Sequence, residues 1–369
     1  MKPRIKQIVF VLLALFFFTA CSNVNKEKDI IKIGAILPLT GKWAIIGENE
    51  QLGLKIALDS LQKKYPAKKI ELIIEDFNSE IKNAVSAANK LSFVDKVDAI
   101  ITSTTAAAEA VTPIINQNEI IHFVITPDLQ IVDRSKYNFR IYYNFKTEGQ
   151  KINEFLTWGK AKSVCFLGMK YTAIQREINS IIIPHMKKEY IQIVDTIYFD
   201  TKASDFKNQI IRAKSKSSDV IYLIPHVDQV QNLNKQLNEY DLLPDDMRKM
   251  IYSYTFNWNT NLDLSQCENF YVCTPIFQIS GTDHNGLQKN LEEKNVKANF
   301  DMMYAFDNLT ILVDLLIKSE GAYNSFVYEF NSLGDYKGAS GNIKFIGDRD
   351  TDVIIVITQV KNGKFVKIL

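Results

Sequence analysis

Apolar, strand-like segments alternate with amphipathic helical segments along most of the chain. The first strand-like segment, residues 30–39, is apolar almost throughout, which is typical of a strand buried on both faces of a parallel sheet. The next segment has helical spacing, with Leu52, Ile56, Leu58 and Leu61 on or near one face. Further strand-like segments follow, with helical patterns between them, at residues 69–77, 97–103 and 120–126. Repeated strand–helix units predict a parallel, doubly wound sheet with right-handed crossovers.

A second series of the same kind follows residue 150. Its strand-like segments lie at residues 162–169, 191–199, 218–226, 249–255 and 270–276. A helical region covers residues 301–319, and residues 341–368 read as strands with turns at Gly347-Asp348 and Asn362-Gly363. Because a chain of 369 residues accommodates about two domains, pattern and length together predict two α/β lobes.

Small hydroxyl residues end the third strand-like segment. Ser103, Thr104 and Thr105 stand between an apolar run and an alanine-rich helical pattern. One such residue can cap a helix whose first N–H groups lack partners, but the Glu or Gln of a capping box is absent. In doubly wound sheets, ligands bind beyond the carboxyl ends of the strands. The hydroxyls are therefore either a plain helix cap or part of a cleft that binds an anion.

The first residues have the features of an export signal. Lys2, Arg4 and Lys6 precede a short apolar run, residues 8–18, and small residues then lead to Cys21. The run is too short to span a membrane. This ending resembles a bacterial lipoprotein signal, in which the cysteine is acylated and becomes the first residue of the mature chain. The implied boundaries are a signal peptide at residues 1–20 and a tether at residues 21–29. The resemblance implies an exported protein, anchored by lipid to a periplasmic or cell-surface membrane face.

Charge and motifs exclude several functions. Apart from the three basic residues of the signal, the chain has 41 basic and 42 acidic residues, so it lacks the basic charge that nucleic-acid binding needs. There is no His-Glu-x-x-His zinc pattern, no Walker loop and no Gly-x-Ser-x-Gly elbow. The four histidines are dispersed. We therefore expect no enzyme activity, no cofactor, no metal and no nucleic-acid partner.

The remaining cysteines lie in the second half of the chain. Cys165 stands in an apolar run and is expected to be a small buried hydrophobic residue. Cys267 and Cys273 flank five residues in what should be an oxidising compartment. A disulfide between them stays open, because spacing alone cannot fix its geometry.

Three segments together resemble the type I periplasmic solute-binding proteins of the branched-chain amino-acid (leucine/isoleucine/valine) family, the receptor subunits of ABC importers. They are residues 31–58, 70–103 and 336–366, of which the last is the most specific. The resemblance implies an α/β fold of two doubly wound parallel-sheet lobes joined by a three-segment hinge, crossing near Tyr143, Pro275 and Thr351 and closing on the ligand. The implied lobes are residues 30–143 with 276–351, and residues 144–275 with 352–369.

The resemblance also implies a set of ligand-binding residues. They are Trp43, Ile46, Ser103, Thr104, Thr105, Thr126, Asp128 and Gln130 in the first lobe, and Tyr171, His226, Tyr254 and Thr255 in the second. The hydroxyls match the loop that receives a ligand carboxylate, whereas Asp128 and Gln130 depart from the family's usual small residue and hydroxyl. The family's acid for the ligand ammonium falls near Tyr254, where none is present. Either Asp128 or Asp228 serves instead, or the ligand has no ammonium group.

Two functions follow from the resemblance. The first is a lipid-anchored receptor that captures a small polar solute, an amino acid or a related carboxylate or amide, and presents it to an ABC permease. The alternative is a sensory or scaffold lipoprotein of the same fold, which signals to a protein partner or has lost solute binding.

Overall fold

The computed structural model describes residues 30–171, 175–176, 178–240, 248–251, 263–275, 287–293, 296 and 298–369. The export signal, Cys21, the tether, Tyr254 and Thr255 lie outside the described residues. Within the described ranges, none of the helices combines the length and the apolar composition that crossing a membrane requires.

The first sheet contains five parallel strands in the order β2-β1-β3-β4-β5. The strands are β1 Ile30–Leu37, β2 Lys69–Asp76, β3 Ala99–Ser103, β4 Ile121–Ile125 and β5 Asn138–Arg140. The helices between them are α1 Ala44–Lys64, α2 Ile81–Asn89 and α3 Thr105–Asn118; a π-helical turn, Lys90–Asp95, follows α2, and a 3-10 helix, Leu129–Arg134, precedes β5. This is the doubly wound sheet that the strand–helix alternation predicts. Its strand order reverses between β1 and β3, and ligands of such sheets bind beyond the carboxyl ends of the strands at this point.

The second sheet contains seven strands in the order β15-β14-β10-β9-β8-β6-β7. The strands are β6 Ser163–Met169, β7 Gln192–Phe199, β8 Val220–Ile224, β9 Arg248–Ile251, β10 Tyr271–Pro275, β14 Ile355–Lys361 and β15 Lys364–Lys367. The helical elements that accompany it are α4 Phe145–Trp158, a π-helical turn Ile178–Ile182, α5 Ile183–Lys188, α6 Lys207–Lys214, a 3-10 turn Val227–Gln229, α7 Val230–Glu239 and a 3-10 helix Leu264–Cys267.

The second sheet differs from the parallel prediction at one edge. Strands β6 to β10 are parallel, but β14 pairs antiparallel with β10 and with β15. The last two strands form a hairpin whose turn, Asn362-Gly363, has positive φ at both residues. A tight hairpin turn of this kind joins only antiparallel neighbours.

The rest of the chain adds helices and a third sheet. These elements are α8 Leu287–Glu293, α9 Phe300–Lys318, α10 Tyr323–Asn331, and the antiparallel strands β11 Asp335–Gly338, β12 Gly341–Gly347 and β13 Asp350–Val353. Asp307 of α9 fixes the turn between β11 and β12, because its carboxylate accepts hydrogen bonds from the Ala339 and Ser340 amides at 2.8 Å each. The Ser340 hydroxyl also donates to it at 2.6 Å. Burial nevertheless raises the pKa of Asp307 to about 6.

The first sheet is covered on both faces. Ile33 of β1 belongs to a core that includes α1 and α9, whereas Ile36 packs in a second core with α2 and α3. Gly53 lets α1 approach α9 closely: a Cβ there would lie 2.9 Å from the Met302 Cα. One face of the first sheet is thus completed by a helix that lies in sequence between β10 and β14 of the second sheet.

Arg140 connects two segments that run between the sheets. Its buried guanidinium donates to the carbonyl oxygens of Tyr142 at 3.0 Å, Tyr143 at 2.8 Å and Thr351 at 2.9 Å. It also forms an ion pair with Asp350 at 2.5 Å. The segment that leaves β5 and the segment that enters β14 are therefore held side by side by one charged group.

The structure shows the environment of the three described cysteines, including the two for which the sequence left a disulfide open. Cys165 is buried in the core, as predicted. Cys267 and Cys273 are also buried, but they form no disulfide with each other. Cys267 ends a 3-10 helix, whereas Cys273 stands opposite Ile357 in the strand pair β10–β14, so each thiol packs as an apolar side chain. Burial accordingly raises the pKa of Cys273 well above its usual value.

Candidate functional site

The loop after β1 is held in place from the end of β2. Asp76 accepts hydrogen bonds from the Leu39 amide at 2.9 Å, the Thr40 hydroxyl at 2.6 Å and the Asn78 amide at 2.7 Å. Burial alone would raise the pKa of Asp76, but these bonds to the ionised form bring it below its usual value. The loop also positions Trp43, whose amide donates to the Ser79 hydroxyl at 3.0 Å.

Two hydroxyls meet at the carboxyl ends of β3 and β4. The Thr105 and Thr126 hydroxyl oxygens lie 2.5 Å apart, and the Thr126 oxygen also accepts from the Asp128 amide at 3.3 Å. Whichever threonine donates to the other, one of the two hydroxyl protons is left over. This proton lies at the N-terminus of α3, where the helix dipole favours a negative charge. The pair can therefore donate to a carboxylate oxygen.

Thr104 is the helix cap that the sequence left as an alternative. Its hydroxyl accepts from the Ala107 amide at 3.4 Å, and its own amide donates to the Ile125 carbonyl at 3.2 Å. Its φ of 70° is unfavourable for a threonine and is of the kind that clusters at binding sites. Among the three hydroxyl residues, the cap is thus Thr104, and Thr105 is turned toward β4.

Ser103 has a partner that the sequence did not suggest. Its hydroxyl donates to Glu50 Oε1 at 2.9 Å, and both side chains are buried. Burial raises the pKa of Glu50 to about 8, although the bond from Ser103 opposes the shift. Glu50 is therefore mainly a neutral carboxylic acid at pH 7. Its Oε2 is buried and has no hydrogen-bond partner among the described residues.

An aromatic cluster forms between the ends of the two sheets. Trp43, from the loop after β1, lies edge-on to Tyr171, with ring centroids 5.5 Å apart. The centroid of His226 lies 4.8 Å from that of Trp43. Tyr171 follows β6 and His226 follows β8, so the cluster joins three loops. Lys42 places its ammonium 4.8 Å from the centre of the Trp43 ring.

Ion pairs also link the ends of the two sheets. Arg176, which follows β6, donates through Nη2 to Asp128 Oδ2 at 2.7 Å and to Glu109 Oε1 at 3.1 Å. Glu109 of α3 also pairs with Arg134 at 2.8 Å. Asp128, which the sequence offered as a partner for a ligand ammonium, is therefore already paired with a guanidinium.

His226 and its acidic neighbour form a second pair. His226 Nδ1 is hydrogen-bonded to Asp228 Oδ1. Burial lowers the pKa of His226, while the Asp228 carboxylate opposes the shift. Asp228, the other acid considered for an ammonium, is thus bonded to an imidazole.

The structure brings six of the twelve predicted residues into two groups, an aromatic cluster and a hydroxyl pair with its neighbour. Trp43, Tyr171 and His226 form the aromatic cluster, and Thr105 and Thr126 form the hydroxyl pair, to which the Asp128 amide donates. Ile46 is buried in α1, and Gln130 is exposed, with its amide bonded to Asp128 Oδ1 at 3.0 Å. Within the described ranges, no group of His, Cys, Asp and Glu side chains could hold a metal ion.

Sequence reasoning missed Glu50 and Arg176. Glu50 stands on the core-facing side of an amphipathic helix, four residues before Leu54. Because carboxyl groups are rarely buried, a glutamate at a core-facing position could have identified it as a candidate functional residue. Arg176 follows Tyr171 closely in sequence, but nothing local pairs it with acids 48 and 67 positions away.

Two doubly wound lobes, with polar and aromatic side chains gathered between the carboxyl ends of their strands, define a two-lobed binding protein. The chain belongs to the periplasmic binding protein family, whose model matches residues 30–364. Members of this family are binding receptors and not enzymes, as the sequence predicted.

Solved structures share this fold at low sequence identity. The leucine-binding protein LivK from Thermotoga maritima has a TM-score of 0.78 at 19% identity, with 92% of this chain and 98% of that chain covered. A solute-binding protein of an ABC transporter from Rhodopseudomonas palustris, in complex with 3,4-dihydroxybenzoic acid, has a TM-score of 0.81 at 21% identity, covering 92% and 96%. The branched-chain amino-acid binding protein LivJ from Streptococcus pneumoniae, in complex with isoleucine, has a TM-score of 0.76 at 18% identity, covering 92% and 100%. The comparison with curated proteins gave no match.

Proposed function

We propose that this protein is the solute-binding receptor of an ABC importer and that it binds a small carboxylate between its two lobes. The observation that carries the proposal is the Thr105–Thr126 hydroxyl pair at the N-terminus of α3, at the same sheet edge as the aromatic cluster. A hydroxyl proton, a helix N-terminus and an aromatic wall are together what a carboxylate with an apolar body requires.

The similar structures support a carboxylate ligand, but they do not single out one kind of carboxylate. Isoleucine and 3,4-dihydroxybenzoic acid are the ligands of two of them, and both are small carboxylates. The branched-chain amino-acid specificity implied by the sequence is therefore one version of the proposal, and an aromatic acid is another.

Closure between lobes is the proposed mode of binding. The lobes would be residues 30–143 with 276–351 and residues 144–275 with 352–369, and the segments held by Arg140 would belong to the hinge. Arg176 and the aromatic cluster make contacts that domain opening would break. Binding energy from the solute would add to these contacts and shift the protein toward the closed form.

A lipid anchor at Cys21 completes the proposal. It is supported by the basic start, the short apolar run and the small residues before the cysteine. The anchor would keep the receptor beside its permease on the outer face of a membrane.

The experiment is a thermal-shift screen of the chain from Lys28 onward, followed by calorimetric titration of each hit. The panel holds amino acids, aromatic acids, other small carboxylates, amides and nucleosides. A ligand that binds only the folded state adds about 2.7 kcal/mol at a hundred times its dissociation constant. We expect a carboxylate to bind, and Thr105→Val and Trp43→Ala to weaken it about tenfold or more.

Two matched variants serve as controls. Thr157→Val and Trp158→Ala make the same changes on α4, where Thr157 is exposed and Trp158 is half exposed. Both should leave the affinity unchanged. If no carboxylate in the panel binds, the result would contradict the proposal and favour the sensory or scaffold lipoprotein.

A further inference from the structure

His226 lies where loops of the two sheets meet, and one of its ring nitrogens has no hydrogen-bond partner in the described part of the chain. The residue is 7% exposed, and its Nε2 is buried without a hydrogen-bond partner among the described residues. Its ring contacts Trp43, which comes from the other sheet's loops. Buried polar atoms are nearly always paired in folded proteins. An unpaired nitrogen at this position is therefore available to a solute.

The other ring nitrogen decides what Nε2 can do. Nδ1 is bonded to a carboxylate oxygen of Asp228, which accepts only, so the proton of a neutral ring lies on Nδ1. Nε2 then carries a lone pair and accepts a hydrogen bond. Burial and the nearby Lys42 ammonium both lower the pKa of His226, while Asp228 raises it, and the net shift favours the neutral ring.

The acids near the cleft either have partners already or are uncharged, so they are poorly placed to bind an ammonium group. Asp128 is paired with Arg176, and Asp228, which is hydrogen-bonded to the His226 ring, has its charge offset by the nearby Lys42 ammonium. Glu50 is mainly uncharged at neutral pH, because burial raises its pKa to about 8. A buried ammonium needs an anionic partner or an aromatic face, and Lys42 already lies over the Trp43 ring. The charge distribution around the described part of the site disfavours a zwitterion.

We infer that His226 Nε2 accepts a hydrogen bond from a hydroxyl group of the solute, so that the receptor prefers hydroxylated carboxylates without an ammonium group. The inference rests on the proposed function and specifies its ligand class. The carboxylate would lie at the Thr105–Thr126 pair and the apolar body against Trp43 and Tyr171, with the hydroxyl toward His226.

The test compares carboxylates that differ by one group. The probes are 3-hydroxybenzoate, 4-hydroxybenzoate and benzoate, and 2-hydroxy-4-methylpentanoate, 4-methylpentanoate and leucine. Calorimetric titration should show that a hydroxylated member binds about tenfold or more tightly than its counterpart without the hydroxyl, since the latter leaves Nε2 unpaired. Leucine should bind no more tightly than 4-methylpentanoate.

Three variants assign the difference to the ring. His226→Phe keeps an aromatic ring against Trp43 but has no acceptor, so the advantage of the hydroxyl should disappear. His185→Phe makes the same change on α5, where the histidine is bonded to the Ile181 carbonyl of the preceding π-helical turn, and should preserve the advantage. Asp228→Ala removes the group that fixes the proton on Nδ1 and should reduce the advantage. In the native protein, the advantage should persist to a pH below 6.5, the usual pKa of histidine, and then decline as the ring is protonated.

The outcomes separate the inference from the function on which it rests. If carboxylates bind and depend on Thr105, but the hydroxyl gives no advantage or the advantage survives His226→Phe, the inference is wrong and the receptor function stands. A leucine affinity above that of 4-methylpentanoate would also overturn it. If no carboxylate binds at all, the proposed function fails, and the inference fails with it.

Discussion

The buried carboxyl of Glu50 gives the sharpest test of the structure. Its side chain is buried in α1 with one hydrogen bond, from Ser103, so ionisation would leave a charge without an ionic partner among its described contacts. Burial raises the pKa from 4.5 to about 8. A raised pKa means that the folded state binds the proton more tightly than the unfolded chain. The stability from this group is therefore fully present below pH 4.5 and is lost as the pH rises through 8.

The size of this loss follows from the shift. One pKa unit corresponds to about 1.36 kcal/mol, so roughly 4 kcal/mol of unfolding free energy should be lost between pH 5 and pH 9. Glu50→Gln replaces the protonated carboxyl with a neutral group of the same shape, whose carbonyl can still accept from Ser103. The variant should match the native protein near pH 5 and exceed its stability by about 4 kcal/mol at pH 9.

The measurement is urea denaturation of both proteins at pH 5, 7 and 9. Only the difference between them is informative, because Asp307 and other groups titrate in the same range. Glu48→Gln is the control, since it removes the same charge from an exposed position of the same helix. Parallel stability curves for native protein and Glu50→Gln would refute the reasoning, because they would mean that Glu50 is solvated or charged in the folded state.

Two further predictions concern closure and anchoring. Arg176→Gln should increase the open population, seen as a larger radius of gyration in X-ray scattering, and should weaken solute binding about fivefold, because a partly exposed ion pair contributes about 1 kcal/mol at most. The control, Arg212→Gln, breaks a pair with Asp195 inside the second lobe and should change neither the radius nor the affinity. An unchanged radius for Arg176→Gln would exclude a role in closure. Cys21→Ser should abolish incorporation of labelled fatty acid and release the protein from membranes, whereas Cys165→Ser should leave the labelling intact; labelling that survives Cys21→Ser would rule out the anchor.

Much of the fold follows from hydrophobic periodicity, because each strand and helix is specified by residues adjacent in the sequence. Strands β1, β3 and β4 of the first sheet are short apolar runs, and each helix between strands has its own apolar face. The hairpin at the end of the chain was also readable, since Asn362-Gly363 favours a tight turn. The antiparallel pairing of β14 with β10 was not, because it joins residues more than 80 positions apart, such as Cys273 and Ile357.

The candidate site, too, was predictable only in part. The positions of Ser103, Thr105 and Thr126 follow from strand ends, so the sequence could place them at one sheet edge. The partners of these residues could not be read. Ser103 bonds to Glu50 of α1, and Asp128 pairs with Arg176, which follows β6 of the second sheet. The role of Asp128 thus depends on a contact between distant segments.

The sequence by itself determined the two α/β lobes and the hydroxyls at the strand ends, because each depends on residues close together in the chain. Tertiary structure decided the protonation and availability of the polar groups. The raised pKa of Glu50, the pairing of Asp128 and the lack of a described partner for His226 Nε2 arise from burial and from neighbours that packing brings together. Desolvation and hydrogen bonding depend on all the surrounding atoms, and local sequence does not specify them.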